Sequence, residues 1–584
     1  MNNKEISKIF EDIAELLELK GESSFKVRAY QRAAHTIDSL TVEAASLWSQ
    51  GRLKDIPGVG ESLAQKIEEL LSTGRSGYYE TLKAEFPEGI VSLMDIPGVG
   101  PKTAARLVKE LGVTSVEELE QAVLAGRVAA LYRMGEKTAE RILRQIQVVR
   151  RKNTRIPLGE ALPVVEEIIS ALRHLPGLRN LTAAGSLRRF AETVGDIDLM
   201  GTAADAEAVI QAFVHLPQVR EMLVAGDTKG SVVIHSGLQV DLRIVEHEAF
   251  GSLLQYFTGG KDHNIALRDR AHRQGLKLSE YGITDIKTGI LEKFDTEEAF
   301  YRRLGLPWIP PELRENRGEI ESAEKGELPD LLELRDIKGD LHDHTNWSDG
   351  HTPPEGMVEA AVARGYQYLI ISDHSAGRGV ARGLTVERLH HQAELIREMN
   401  RRYPITVLAG SEVDIRADGS LDFPDEILAE LDVVVASVHS AMGQEAPRMT
   451  ERILKAIRNP HVDIIAHLTC RLLGEREPIE VDLEAIFRAA AETGTALEIN
   501  AMPSRLDLKD VHIMRARELG VPLVISTDAH GPEQLDVMRF GVGTARRGWC
   551  RPEDILNTRP WPEVAAFLRK RVKVAKAGTV SPTF

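Results

Sequence analysis

The feature that most constrains the fold of this chain is a rhythm of short apolar runs between residues 337 and 575. These runs alternate with helical stretches and read "YLIISD", "ITVLAGSEVD", "DVVVASVH", "VDIIAH", "TALEIN" and "PLVIS". Short apolar runs separated by helical patterns are typical of parallel strands joined by crossover helices. The rhythm therefore predicts a barrel-like α/β array in the C-terminal part of the chain.

Metal-ligand residues recur where these runs end. The stretch "DLHDHTNWSDG" at residues 340–350 opens the series, and histidines or carboxylates recur at or just after the ends of most later runs. A barrel gathers the C-terminal ends of its strands around one mouth, so these side chains are expected to converge there. Each one alone could be a hydrogen-bonding residue at a strand end, but their recurrence favours a metal site. The candidates are His342, His344, Asp349, His374, Glu412, His439, His467, Asp528 and His530.

The length and composition limit what the rest of the chain can be. At 584 residues it exceeds what one hydrophobic core supports, so several domains are expected. The net charge of −15 argues against a protein that coats nucleic acid along its whole surface, but it is compatible with local basic channels. Two cysteines provide neither a disulfide framework nor a cysteine zinc site, which fits a reducing cytosol. The charged N-terminus and the absence of a long apolar run predict a cytoplasmic protein without membrane segments.

An internal repeat marks the N-terminal, helical part. "LKDIPGVGESLAQKIEELL" (53–71) matches "LMDIPGVGPKTAARLVKEL" (93–111), and "LYRMGEKTAERIL" (131–143) is a weaker third copy. Each "IPGVG" turn precedes a helix whose N–H groups and dipole could cradle a phosphate. A tight helix–helix turn is the alternative, but two near-identical copies favour binding of the DNA backbone. The repeat resembles the helix-hairpin-helix motif, with backbone contacts expected at Gly58, Gly60, Gly98 and Gly100.

From about residue 156 the pattern changes to short strand-like runs, "LTAAG", "DIDLM", "SVVIH" and "LQVDLRIV". Asp196 and Asp198 would share one face of a strand, and Asp241 could come from a neighbouring strand. Three carboxylates on adjacent strands can hold two hard cations, Mg²⁺ or Mn²⁺, for phosphoryl transfer. A triphosphate could then be held by Ser186 and, through bidentate contacts, by Arg189 and Arg155.

The string "GSLRRFAETVGDIDLM", followed by "VDLRI", resembles the nucleotidyltransferase core of family X DNA polymerases over residues 1–318. The segment "YFTGGKDHNIALR" is similar to that family's nucleotide pocket, except that a serine or similar residue is common at Gly260, a departure that bears on sugar or base selectivity. The resemblance implies catalytic carboxylates at Asp196, Asp198 and Asp241, and triphosphate contacts at Gly185, Ser186, Arg189, Gly195 and Arg155. It also implies that Tyr256, Phe257 and Gly259 lie against the sugar, Asn264 near the base edge and Arg268 near the template strand.

The same resemblance bears on Lys66. In some family members the matching lysine attacks the sugar aldehyde of an abasic site, and an amine near a phosphate cradle can form a Schiff base if its pKa falls. A solvated helix lysine is the alternative, and Ser62 stands where lyase-active members often carry another lysine. A 5′-phosphate pocket could include Phe25, Lys26, Arg28 and Tyr30.

The C-terminal series resembles the PHP (polymerase and histidinol phosphatase) domain over residues 337–575, with all nine motif positions filled. The resemblance implies up to three ions, Mn²⁺ or Zn²⁺, and hydrolysis of phosphate esters. One ion would use His342, His344, Glu412 and Asp528; a second Glu412, His439 and His467; a third Asp349, His374 and His530. Phosphate clamps could come from Arg378, Arg382 and Arg505.

These observations predict a multidomain α/β enzyme: a bacterial-type family X DNA polymerase with a C-terminal distorted (β/α)7 PHP barrel that acts as a 3′–5′ exonuclease. It would fill short gaps in base excision repair as a monomer, with gapped or nicked DNA and dNTPs as partners. The alternatives are a DNA-binding PHP phosphoesterase with an inactive polymerase module, and a non-enzymatic DNA scaffold. The expected domains are a lyase-like helical domain (1–88), a fingers-like hairpin region (89–155), a palm (156–250), a thumb (251–318), a linker (319–336) and the PHP domain (337–575).

Overall fold

The computed structural model divides the chain into two compact units, Met1–Arg155 and Ile156–Phe584. The division falls at the predicted start of the palm. The residues it describes are 3–38, 40, 44–86, 93, 96, 99, 101–131, 134–136, 138–139, 142–143, 146, 155–377 and 379–568.

The N-terminal unit is helical, as the apolar spacing of its sequence predicts. Its first helices pack around a core that includes Phe10, Ile13 and Ile67. Amphipathic helices of this length are stabilised mainly by such packing of their apolar faces. The helices are Asn3–Leu19, Ser24–Asp38, Ala44–Ser49, Glu61–Thr73, Gly77–Ala84, Pro101–Leu111 and Val116–Leu124.

The palm is a five-stranded sheet in the order β2-β4-β7-β6-β5, in which only β4 and β7 run parallel. All four predicted strand runs of this region lie at or beside its strands, whereas β5 was not predicted because "VREMLVA" is half polar and exposed. A separate pair, β1 (Ile156–Pro157) and β3 (Thr193–Val194), lies beside it. The sheet strands are β2 (Leu178–Ala183), β4 (Ile197–Ala203), β5 (Val219–Ala225), β6 (Lys229–Ile234) and β7 (Gln239–Val245), and the palm helices are Leu158–Leu172, Gly185–Arg188 and Ala206–Val214.

The thumb follows as a small α+β layer. A three-stranded antiparallel sheet in the order β10-β9-β8 accompanies helices around a core that includes Leu267, Ile283 and Phe300. Its strands are β8 (Leu276–Ser279), β9 (Gly282–Asp285) and β10 (Leu291–Glu292), and its helices are Phe250–Thr258, Lys261–Arg273 and Glu297–Arg303.

The C-terminal domain confirms the predicted barrel. Seven strands, all parallel, follow one another in chain order from β11 to β17. An isolated parallel bridge between Asp343 and Ala529 brings the two ends of the row together, so the barrel is nearly closed. The strands are β11 (Gly339–Asp340), β12 (Tyr368–Ile371), β13 (Thr406–Asp414), β14 (Val433–Ser437), β15 (Ile464–Ile465), β16 (Ala496–Asn500) and β17 (Leu523–Ser526). The helices are Pro354–Ala363, Val386–Arg402, Asp425–Leu428, Ala446–Arg458, Leu483–Thr493, Asp510–Glu518 and Met538–Arg547.

Palm and barrel share apolar packing. Leu506 and Phe540 of the barrel domain belong to the hydrophobic core of the palm, and Leu506 is fully buried there. The segment 319–336, predicted as a linker, contains the helix Glu319–Lys325 and packs against the barrel, since the Leu332 N–H donates to the Cys550 carbonyl. Within the described ranges, no helix combines the length and apolar character needed to cross a membrane.

Candidate active sites

The three palm carboxylates occupy adjacent parallel strands. Asp198 on β4 and Asp241 on β7 are direct register partners, and Asp196 lies immediately before β4. Burial, followed by the charges of Asp196 and Asp241, raises the pKa of Asp198 to about 7. A buried carboxyl group whose ionisation is disfavoured by two neighbouring carboxylates marks a site suited to cations.

Two cations that sequence reasoning did not single out lie beside this triad. Lys229 places its Nζ 3.3 Å from Asp241 Oδ2, and Arg243 lies opposite Lys229 in the β6–β7 register. Both positive charges favour the ionised form of Asp198. A period-two reading of "VDLRI" would have placed Arg243 on the same face as Asp241.

Some of the predicted triphosphate contacts lie beside the palm carboxylates, and others do not. Gly185 begins the short helix Gly185–Arg188 with φ +60°, and a Cβ on it would lie 3.1 Å from Asp198 Oδ2, so this position needs glycine. Ser186 belongs to the same helix, and Gly195 directly precedes Asp196. Arg189 directly follows this helix, and its guanidinium contacts Thr258 and Glu315 of the thumb. Arg155 is exposed and is the last residue of the N-terminal unit.

The segment predicted to contact the nucleotide connects two thumb helices. The Tyr256 and Phe257 rings meet edge to face at 5.3 Å. The Asn264 amide donates to the Tyr256 carbonyl at 2.8 Å. A Cβ on Gly259 would lie 2.3 Å from Asn264 Oδ1, which explains a glycine here. Arg268 is exposed on the helix Lys261–Arg273.

In the first hairpin turn, one of the two glycines has the positive φ that favours glycine. Gly58 has φ +81°, whereas Gly60 has φ −84° and forms the N-cap of the helix Glu61–Thr73. That helix start has no side-chain cap, and a Cβ at either glycine would meet nothing within 4 Å. The matching Gly98 and Gly100 lie outside the described residues.

Lys66 lies in a small cationic and aromatic cluster. Its Nζ is 4.8 Å from the centre of the Tyr78 ring and donates to Ser62 Oγ at 3.1 Å. Burial lowers the pKa of Lys66, with Glu69 opposing the shift and Lys26 adding to it. Of the aromatic residues predicted for the same pocket, Tyr30 is buried and Phe25 is 75% exposed.

The nine barrel candidates converge at the C-terminal ends of the strands. Strand β11 ends at Asp340, and His342 and His344 follow it with their Nε2 atoms 3.1 Å apart. Asp528 Oδ1 lies 3.7 Å from the first and 3.3 Å from the second. Asp528 adopts a left-handed backbone conformation with φ +55°, a strain typical of functional positions.

Glu412 is the centre of the cluster. Its Oε1 lies 3.2 Å from His439 Nε2 and 3.0 Å from His467 Nε2. Its Oε2 faces the other side, 3.5 Å from His342 Nε2 and 2.8 Å from His374 Nδ1. Burial favours the neutral acid, but the surrounding imidazoles hold the pKa of Glu412 well below its usual value. One carboxylate facing two sets of nitrogens is the arrangement expected of a bridging ligand.

A third set surrounds Asp349. Its oxygens lie 3.4 Å from His374 Nε2 and 3.4 Å from His530 Nε2. His344 Nδ1, which is buried and has no hydrogen-bond partner among the described residues, lies 3.9 Å from Asp349 Oδ1. An unsatisfied buried nitrogen facing acidic oxygens fits a metal-binding role. The groups whose ligand atoms lie within 4.8 Å of one another are His344, Asp349, His374 and His530; His342, His344 and Asp528; and His374, Glu412 and His439.

Two further carboxylates orient the imidazoles, and sequence reasoning missed both. Glu498 on β16 is fully buried and lies 2.7 Å from His342 Nδ1, and Asp414 lies 2.6 Å from His439 Nδ1. Such partners fix the orientation of a metal-binding imidazole and raise its basicity. Asp414 stands two residues after Glu412 on one strand, a spacing that could have revealed it; the partner of Glu498 is 156 residues away.

Arg505, a candidate phosphate-binding arginine, lies at this mouth. Arg505 has its Nε 3.6 Å from Asp528 Oδ2, and its side chain is 18% exposed. Arg382 is exposed, and Arg378 lies outside the described residues. A partly exposed guanidinium beside candidate metal ligands suits the binding of a phosphate.

Comparison with known proteins finds family matches in four segments of the chain. Residues 1–76 match a helix-hairpin-helix domain and residues 90–147 a SAM-like helix-hairpin-helix tandem. Residues 253–315 match the DNA polymerase beta thumb, and residues 340–502 match the PHP domain.

Relatives exist for the whole chain and for its parts. A probable phosphatase of Thermoanaerobacter sp. (strain X514) is 34% identical over 34% of this chain and 81% of its own length. DNA polymerase lambda of Arabidopsis thaliana is 24% identical over 53% of this chain and 62% of its own length. The DNA polymerase/3′-5′ exonuclease PolX of Bacillus subtilis (strain 168) is 42% identical over 98% of this chain and 100% of its own length. With its hairpin domains, thumb and seven-stranded barrel, the chain therefore belongs to the PolX family, the bacterial family X DNA polymerase/3′–5′ exonucleases that carry a C-terminal PHP domain.

Proposed function

We propose that this enzyme fills short gaps in duplex DNA during base excision repair. The palm would add nucleotides to a 3′ end, and the barrel would remove them or trim a blocked 3′ end as a Mn²⁺-dependent exonuclease, 3′-phosphatase and abasic-site endonuclease. The observation that carries the proposal is the presence of two separate ligand sets, Asp198 with Asp241 in the palm and the group around Glu412 in the barrel, within one chain of the PolX family.

In the palm, Asp196, Asp198 and Asp241 would hold Mg²⁺ or Mn²⁺. Such ions, when bound, stabilise the attacking and leaving oxygens of phosphoryl transfer. The remaining roles are those that the resemblance to family X polymerases implies. Triphosphate binding is proposed for Arg155, Gly185, Ser186, Arg189 and Gly195. Nucleotide and template contacts are proposed for Tyr256, Phe257, Gly259, Asn264 and Arg268.

In the barrel, Mn²⁺ or Zn²⁺ would be held by the nine converging side chains, with Glu412 shared between neighbouring positions. Metal ions in such a centre activate water and polarise a phosphate ester. Glu498 and Asp414 would keep the imidazoles aimed at the centre, and Arg505 would neutralise a non-bridging phosphate oxygen. The chemistry suits both a diester and a terminal phosphate, and the probable phosphatases related to this domain support the second.

The N-terminal unit would bind the DNA. Residues 1–88 would bind the downstream 5′ end, and residues 89–155 would bind the primer side through the second hairpin, each through glycine turns that contact backbone phosphates without regard to sequence. Lys66, whose pKa burial lowers, would serve as the amine that forms a Schiff base with a 5′-deoxyribose phosphate.

The test is an assay on a one-nucleotide gapped duplex, labelled at the primer 5′ end and at the downstream 5′ end, with each divalent metal in turn. We expect extension by one nucleotide when dNTPs are present and shortening of the primer when they are absent. A second substrate with a 5′-deoxyribose phosphate, reduced with borohydride, should trap a covalent adduct that Lys66→Ala loses.

Two results would contradict the proposal. Absence of extension with both Mg²⁺ and Mn²⁺, while the primer is still degraded, would indicate a phosphoesterase with an inactive palm. Equal extension of gapped and of long single-stranded templates would remove the gap-filling role and leave a polymerase of another purpose.

Replacing Glu498 by glutamine tests the orienting carboxylates. The change removes the negative charge that His342 Nδ1 contacts at 2.7 Å, while volume is kept. We expect the affinity of the barrel for Mn²⁺, measured by calorimetric titration, to fall about 10- to 100-fold. Primer extension should be unaffected, because the palm lies outside this contact.

The matched control is Glu477→Gln, which neutralises an exposed carboxylate of the same domain. It should bind Mn²⁺ as the unaltered protein does. Equal Mn²⁺ affinity in the Glu498 and Glu477 variants would show that Glu498 has no part in organising the centre.

A further inference from the structure

Arg189, to which the proposed function gives a triphosphate contact, is engaged elsewhere in this structure. Its Nε donates to Glu315 Oε1 at 3.0 Å, and its Nη1 donates to the Thr258 carbonyl at 2.9 Å. Both partners belong to the thumb, and the Arg189 side chain is only 14% exposed. To bind a triphosphate, this guanidinium must leave Glu315.

The barrel domain supplies Glu315 with a second cation. Arg547, at the end of the helix Met538–Arg547, donates from Nη1 to Glu315 Oε1 at 2.8 Å and to the Arg189 carbonyl at 2.8 Å. Its Nε donates to Asp510 at 2.9 Å, and Asp510 also accepts from Arg317 at 3.0 Å. The result is a nearly buried chain of alternating charges that runs from the palm through the thumb into the barrel.

The charges around Glu315 keep it ionised. Burial alone favours the neutral acid, but Arg547, Arg189 and Arg317 together lower the pKa of Glu315 to about 2. An ionised carboxylate in this position is costly unless a cation remains beside it. When Arg189 departs, Arg547 is the hydrogen-bonded cation that remains.

Gly260 is part of the same arrangement. A Cβ at this position would lie 2.8 Å from the Arg314 carbonyl and 3.1 Å from Glu315 Oε2. A serine at this position would fit only if the thumb segment carrying Glu315 moved. Glycine at 260 therefore allows the close approach that brings Glu315 to Arg189.

We propose that Arg547 of the barrel domain is a positioning residue of the polymerase reaction: it holds the Glu315 carboxylate so that Arg189 can exchange this partner for the triphosphate of an incoming nucleotide. The inference rests on the proposed function of Arg189. Without Arg547, Arg189 is the hydrogen-bonded cation left to Glu315 and is retained by it, so the nucleotide must compete with a stronger ion pair.

The test is steady-state primer extension by the full-length protein, with KM for dNTP and kcat measured separately. We expect Arg547→Gln to raise KM for dNTP about tenfold with little change in kcat, because the loss falls on substrate binding. Glu315→Gln should lower KM, since Arg189 is released. The double variant Arg547→Gln/Glu315→Gln should match Glu315→Gln alone, because Arg547 acts through Glu315.

The matched control is Arg546→Gln. Arg546 is the preceding residue of the same helix and bridges to Glu312 and the Leu332 carbonyl at the same junction, without contacting Glu315 or Arg189. KM for dNTP should be unchanged in this variant. Exonuclease activity, measured on the same preparations, should be unchanged in every variant of the set.

The outcomes separate the inference from the function on which it rests. If Arg189→Gln leaves KM for dNTP unchanged, the triphosphate role fails and the inference fails with it. If Arg189→Gln raises KM but Arg547→Gln does not, or raises it equally in the Glu315→Gln background, only the inference is overturned. If Arg547→Gln is not recovered folded, Arg547→Lys keeps the charge and should give a smaller rise in KM; equal losses of both activities would show a purely structural role.

Discussion

Primer extension should fall by at least about 10³-fold when Asp196 and Asp198 are both replaced by alanine, because the palm loses the charges that would hold cations against the triphosphate. The 3′–5′ exonuclease activity should remain, since the candidate metal ligands proposed for it lie in the barrel. Both activities are measured on one labelled primer, with and without dNTPs. The cavities left are small because both side chains are only partly buried, so the melting temperature should change little.

Asp227→Asn is the control for this pair. Asp227 is an exposed carboxylate in the turn between β5 and β6 of the same sheet. Its replacement should leave extension at the level of the unaltered enzyme. Parallel loss of extension and exonuclease in the Asp196/Asp198 variant, in protein that melts normally, would contradict two independent sites.

The converse result is expected for His344→Ala. His344 approaches His342, Asp528 and Glu412 through Nε2 and Asp349 through Nδ1, so it faces more than one of the candidate metal positions. We expect exonuclease activity to fall more than about 100-fold, a larger effect than that of an orienting residue. The Mn²⁺ content per chain, measured by elemental analysis, should fall as well, while extension is retained.

His390→Ala provides the comparison for the barrel. His390 lies on the helix Val386–Arg402, is about half exposed and pairs with Glu430 at 2.9 Å. Metal content and exonuclease activity should both be unchanged. Normal metal content in the His344 variant would mean that this imidazole is not a ligand, whatever happens to the activity.

Local patterning predicted much of the fold. The six apolar runs of the C-terminal region became β12 to β17, because a short apolar run can be satisfied only by burial between helices. The convergence of His342 with Asp528 also followed from topology, since parallel strands present their C-terminal ends at one mouth. Strand β5 was not predicted because it is half polar, and an exposed edge strand needs no apolar face.

Interactions between distant segments were beyond such reasoning. Glu498 is identified as a partner of His342 only once β11 and β16 lie in one barrel. Glu315 is 126 residues from Arg189, and Arg547 is 232 residues from Glu315. Charge pairing of this kind depends on three-dimensional proximity, for which neither spacing nor composition carries a signal.

The insertion of Leu506 and Phe540 into the palm core limits how such a chain can be divided in evolution. A gene shortened to end after the thumb would leave part of the apolar core of the palm exposed to water. A gene that began at the barrel would expose Leu506 and Phe540 instead. Related proteins that lose one activity are therefore expected to lose it through substitution of the metal-ligand residues of that site. The inactive domain would be kept because the other domain packs against it.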